Sequence, residues 1–110
     1  MRRNAQQSIS GAMEELLGVL SRPWAMHIVW ILSVDGPMRF GALRRRIGGI
    51  SARVLTERLR GLEEKGFVYR HYKQTIPPEV TYGLTKHFEE IGPVFEQMDR
   101  LARKWRLGAR

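Results

Sequence analysis

A mainly α-helical fold with one small β-hairpin is what this sequence predicts, and three observations carry that expectation. Apolar residues recur at helical spacing in four segments before Gly66. Residues 67–74 and 79–84 are rich in Val and Tyr instead, and flank a Thr75-Ile76-Pro77-Pro78 turn. From Phe88 onward the helical spacing returns.

The chain has 110 residues, 43% hydrophobic and 27% charged, which is enough for one core and speaks against wholesale disorder. Residues 12–107 are expected to form the domain, preceded by a flexible basic N-terminus over 1–11 that includes Arg2 and Arg3. The apolar residues Met13, Leu16, Leu17 and Leu20 predict a first amphipathic helix ending near Ser21. Ser21 can cap a second helix with Pro23 in its first turn; Trp24, Ile28, Ile31 and Leu32 give it an apolar stripe. Met26, Val29, Trp30 and Val34 make its other side apolar too, so it should be buried nearly all round, His27 with it. Asp35-Gly36-Pro37 stops it.

A third helix over about 39–47 buries Phe40, Leu43 and Ile47, and Gly48-Gly49 end it, with Ile50 tucked into the core. Ser51 caps a fourth helix running to about Lys65, with Leu55, Leu59 and Leu62 inward and Gly66 at its C-terminal end. Two helices joined by a tight turn and followed at once by a hairpin make a winged helix-turn-helix. Thr85 then caps a last helix carrying Phe88, Ile91, Phe95, Met98, Leu101, Ala102 and Trp105, which Gly92-Pro93 should kink or restart.

Charge locates the working face. The formal net charge is +8, and residues 39–73 hold ten Lys or Arg against three acids, which is +7 of that excess. Such a balance predicts long-range attraction to polyanions, nucleic acid first and anionic membrane second. On the fourth helix, with Leu55 inward, Arg53, Thr56, Glu57 and Arg60 lie about 100–160° away and face outward. Ser51, Ala52 and Arg53 occupy the N-terminal end, whose amides suit a phosphate. Arg53 is the first candidate for base reading, since a guanidinium pairs bidentately with guanine. Glu57 either accepts from cytosine or pairs with Arg53 or Arg60. Arg58 falls beside the core face and braces the fold or touches a phosphate. Of Arg44, Arg45 and Arg46, at most two can approach the DNA backbone. Arg39, His71 and Lys73 are phosphate candidates, with plain solvation as the alternative for each.

Chemistry finds no foothold in the motifs. No phosphate-cradling loop, zinc-protease motif or nucleophile elbow occurs, and adjacent pairs such as Glu63-Glu64 diverge by about 100° on a helix. No catalytic residue, metal ligand or cofactor is therefore expected. There is no cysteine, which removes disulfides and thiol switches from these residues. No apolar run approaches the ~18 residues of a membrane span, and a soluble cytoplasmic protein is expected. Trp24, Met26, Trp30, Phe88, Phe95, Met98 and Trp105 could line a ligand pocket, but helical spacing points first to core or dimer interface.

The blocks GPMRFGALRRRI, GISARVLTERLRGLEEKGFVYR and IPPEVTYGLT, in this order and spacing between Leu17 and Leu101, resemble the HxlR-type winged helix-turn-helix regulators, relatives in fold of the MarR group. The resemblance implies a homodimer held by the first and last helices, through Met13, Leu16, Leu17 and Leu20 and through Phe95, Met98, Leu101, Ala102 and Trp105. It implies a recognition helix over Ser51 to Lys65, a wing over Tyr69 to Leu84, and repression from a pseudo-palindromic operator. Many family members sense oxidants through a cysteine just before the second helix; here that stretch reads Leu16-Leu17-Gly18-Val19-Leu20-Ser21. Any signal must be a small molecule, another protein or the chain's own concentration. Non-specific architectural DNA binding and a protein-interaction module remain the alternatives.

Overall fold

The computed structural model describes residues 10–109, with side chains described through residue 106. In order they form α1 (Gly11–Leu20), α2 (Ala25–Asp35), β1 (Met38–Arg39), α3 (Phe40–Ile47), α4 (Ala52–Glu64), β2 (Val68–Lys73), β3 (Glu79–Leu84), a 3₁₀ turn (Phe88–Ile91) and α5 (Gly92–Ala109). The expected N-terminal arm lies outside the described residues except for Ser10 and Gly11, which cap and open α1.

The core forms where α2, α3, α4 and the base of the sheet meet. Ile28, Val29, Leu43, Leu55, Leu59, Leu62 and Val68 are almost wholly removed from solvent. The three leucines of α4 sit at i, i+4 and i+7, so one stripe of that helix is buried and the rest stays free. Each such side chain contributes about 1.5–3 kcal/mol through burial, enough to hold α4 against α2 and α3. Ile50 is buried as expected, and Gly48 and Gly49, at φ of 73° and 80°, supply the left-handed turn between α3 and α4.

Several expectations change. Ser21 does not start α2; it closes α1, its N–H bonding to Leu17 O at 2.9 Å. The helix begins at Ala25, after Trp24 with a left-handed φ of 73°. Local capping chemistry favoured Ser21, but Trp24 turns its ring onto the core and to an edge contact with His27, centroids 5.5 Å apart. A non-glycine residue in that region is strained and is held by its surroundings. The α1 and α2 axes are bent by 89° as a result.

The second helix is not buried all round either. Met26, Trp30 and Val34 are exposed, and so is His27, which is therefore no core histidine. The hairpin gains a third strand, because β1 pairs antiparallel with β3 and the sheet order is β1-β3-β2. Two residues are too short to show a period of two. Thr85 does not cap the last helix with its side chain: its hydroxyl donates to Gly66 O at 2.9 Å. The chain first makes a 3₁₀ turn, and the α-helix restarts at Gly92-Pro93.

Candidate nucleic-acid interface

Ser51 fixes the start of α4. Its backbone is extended and its Oγ accepts the Val54 N–H at 3.1 Å, while its carbonyl accepts Leu55 N–H at 3.0 Å. Its hydroxyl is thus committed to the cap. The amides of Ala52 and Arg53 have no partner among the described hydrogen bonds and point out of the helix N-terminus, where a phosphate fits. The other end closes with Gly66 at φ 82°, Gly66 N–H on Glu63 O and Phe67 N–H on Leu62 O, both at 2.9 Å.

Along the exposed side, Arg53 and Glu57 form an i,i+4 pair at 3.4 Å with side chains 86% and 51% exposed. An exposed pair of this kind is worth about 0–1 kcal/mol, so a base or phosphate can displace it. Arg60 is also exposed. Thr56 is less available than its helical angle suggests: it is half-buried and its hydroxyl donates to Ala52 O at 2.8 Å.

Other cations of this unit are bonded within the fold. The half-buried Arg58 donates from Nε to Pro23 O at 2.7 Å, joining α4 to the α1–α2 turn. Arg44 Nε reaches Ile50 O at 3.0 Å, across the α3–α4 turn. Arg46 pairs with Asp35 at 2.8 Å. Of the three neighbouring arginines only Arg45 makes no polar contact among the described residues. The Arg58 link spans 35 residues, and no local pattern announces it.

The wing rises directly from this unit. β2 and β3 pair from Val68↔Leu84 to Lys73↔Glu79, and every residue of β2 after Val68 is exposed. Tyr69, His71 and Lys73 share one face, Arg70 and Tyr72 the other. The Tyr69 ring lies over Gly83, where an added Cβ would come within 2.6 Å of it, so any other residue there would push the ring aside. Arg39 on β1 pairs loosely with Glu79, 3.6 Å away. At the tip, the Thr75 N–H bonds to Lys73 O and its hydroxyl to Pro77 O, next to a cis Ile76-Pro77 bond, and Ile76 is fully exposed. At the base, Thr85 N–H bonds to Phe67 O at 3.0 Å and Phe67 stacks on Phe88, centroids 4.2 Å apart.

Away from α4 and the wing, large apolar side chains lie open. Met13 and Leu17 on α1, Met26 and Trp30 on α2, and Met98, Leu101 and Trp105 on α5 are all exposed, Trp105 to 68%. Ala102 is exposed as well, while Leu16 is half-buried. Leu20 and Phe95, expected at a pairing surface, are largely buried in the chain's own core cluster. Met26, His27, Trp30, Phe95, Met98 and Asp99 line a shallow groove of about 350 Å³ between α2 and α5. Trp24 and Phe88 pack on the core and Trp105 stands apart, so the aromatic set does not gather into one pocket. Among the described residues no metal-ligating cluster occurs, and no single helix is long and apolar enough to cross a membrane.

Comparison with known proteins agrees with this architecture. Residues 19–108 match the model of the HxlR-like helix-turn-helix family. The chain is similar to BH0655, an HTH-type transcriptional regulator of Halalkalibacterium halodurans, at 35% identity over 74% of this chain and 73% of the relative. It is similar to the HTH-type transcriptional regulator YvaP of Bacillus subtilis at 30% identity, over 91% and 92% of the two chains. Among solved structures, the reduced form of the transcriptional regulator YodB from B. subtilis superposes with a TM-score of 0.75 at 33% identity, covering 86% of this chain and 91% of that one.

Proposed function

Since the chain belongs to the HxlR-like helix-turn-helix family and is a DNA-binding transcriptional regulator of that type, we propose that it acts as a homodimeric repressor on a pseudo-palindromic operator. The observation that carries this reading is the division of α4. Leu55, Leu59 and Leu62 are buried, while Arg53 stands at the open N-terminus with a side chain 86% exposed. A helix held this way enters the major groove by its N-terminal end.

The exposed residues of α1, α2 and α5 support pairing, because a small domain with this many large apolar side chains in water needs a cover. A second copy related by a two-fold axis would place two α4 helices about 34 Å apart, reading half-sites ~10 bp apart. Arg53 reads a guanine, Arg60 and the Ala52 amide hold phosphates, and His71, Lys73 and Arg39 extend the contact along the backbone. Ser51 acts through its cap rather than its hydroxyl, and Glu57 tunes Arg53. Occupying the promoter then blocks transcription. Any signal reaches it without a protein thiol, since the 110 residues contain no cysteine.

The test is competition binding at fixed salt between duplexes selected from a random pool and unselected DNA, with sedimentation on the same samples. Enrichment of one inverted repeat, bound by two chains at a specificity ratio of at least about 10³, is the expected result. A ratio near one would leave a non-specific DNA-binding protein. Folded protein that binds no duplex at low salt would leave a protein-interaction module.

A further inference from the structure

The tip of the wing carries no cation with which to clamp a phosphate. From Gln74 to Pro78 there is no charged residue. Pro77 and Pro78 have no N–H, and both the N–H and the hydroxyl of Thr75 are already bonded within the turn. What the tip presents is Ile76, a large apolar side chain at 102% relative exposure, the most exposed of the large hydrophobic residues described. Two proline rings follow it and the Thr75 hydroxyl bond closes the turn beneath it. Behind it stand Arg70, His71 and Lys73, all exposed.

We propose that Ile76 is an apolar wedge that presses into the DNA minor groove at the outer edge of each half-site, so that the wing reads how easily a base step deforms. This rests on the DNA-binding reading above and adds a residue that determines specificity there. Three magnitudes support it. Six paired residues extend the hairpin by about 20 Å. Half a turn of B-DNA, the distance from a major groove to the neighbouring minor groove, is about 17 Å. Apolar side chains that enter the minor groove act between base steps, where pyrimidine–purine steps open most readily and A-tracts resist. The cations behind the tip hold the hairpin to the backbone, and Ile76 supplies the contact that charge cannot.

The experiment uses the full chain and the inverted repeat selected by the wild type. A panel of duplexes varies only the step opposite the wing, TA against AA, and wild type is compared with Ile76→Ala and Ile76→Lys. Wild type should prefer TA by about five- to tenfold, and Ile76→Ala should bind both equally, at the weaker level. Its salt dependence should not change, because no charge is lost, whereas Ile76→Lys should steepen the salt slope by about one. Retention of the TA preference by Ile76→Ala, or its absence from wild type, would overturn the wedge. Ile76 makes no core contact, so both variants should melt as wild type does. If wild type selects no repeat at all, the regulator reading fails first, and the two failures are told apart.

Discussion

The helix-turn-helix and the wing are both basic, but they use their charge differently. In residues 40–64 three arginines are tied to acceptors inside the fold: Arg44 to Ile50 O, Arg46 to Asp35 and Arg58 to Pro23 O. On β2, the exposed Arg70, His71 and Lys73 have no such partner among the described residues. A count of cations therefore overstates how many stay unpaired in the helical unit and describes the wing more faithfully. Arginine fits the bracing role because its planar fork keeps its geometry and its charge when half-buried.

Substitutions can sharpen this contrast or break it. The largest effect should come from Arg53→Ala, which would lower discrimination between the selected repeat and random DNA by ~1–3 kcal/mol; equal loss on both DNAs would remove it as a base reader. Arg58→Ala should act by another route, reducing stability by about 1–2 kcal/mol in chemical denaturation as Pro23 O loses its charged donor. Its effect on DNA should be a parallel weakening on both targets, and unchanged stability would break the brace. Lys73→Ala should leave stability alone and reduce the salt slope of binding by about one, equally for both DNAs. Arg46→Ala should be nearly silent, within about 0.5–1 kcal/mol in stability, since its pair with Asp35 lies at the surface, partly open to solvent. A strong DNA defect there would move Arg46 from the braces to the contacts.

What was legible in the sequence is whatever depends on residues near in sequence. Ser51, the Leu55-Leu59-Leu62 stripe and Gly66 mark α4 because capping and burial period are local, and the two strands are bounded by equally local turn chemistry. The α1–α2 turn was not legible, because Ser21 and Pro23 form a good local helix start and only distant contacts of Trp24 and Arg58 decide otherwise. β1 has no local signature, since only its pairing with Thr81 and Tyr82 marks it as a strand. Met26, Trp30 and Val34 read as core because hydrophobicity signals a need for cover without saying whether the cover comes from the same chain. At the interface itself, angle alone placed Arg53, Glu57 and Arg60 outward, but the rotamer of Thr56 toward Ala52 O lies beyond what a helical wheel resolves.

The bond from Thr85 to Gly66 O joins the exit of α4 to the exit of the wing, and the stacked rings of Phe67 and Phe88 lie beside it. Helix and hairpin are thereby tied together at their bases. On the proposed DNA-binding reading, such a tie would make the unit a caliper that resists spreading, so that DNA of the wrong groove spacing would have to bend to fit it.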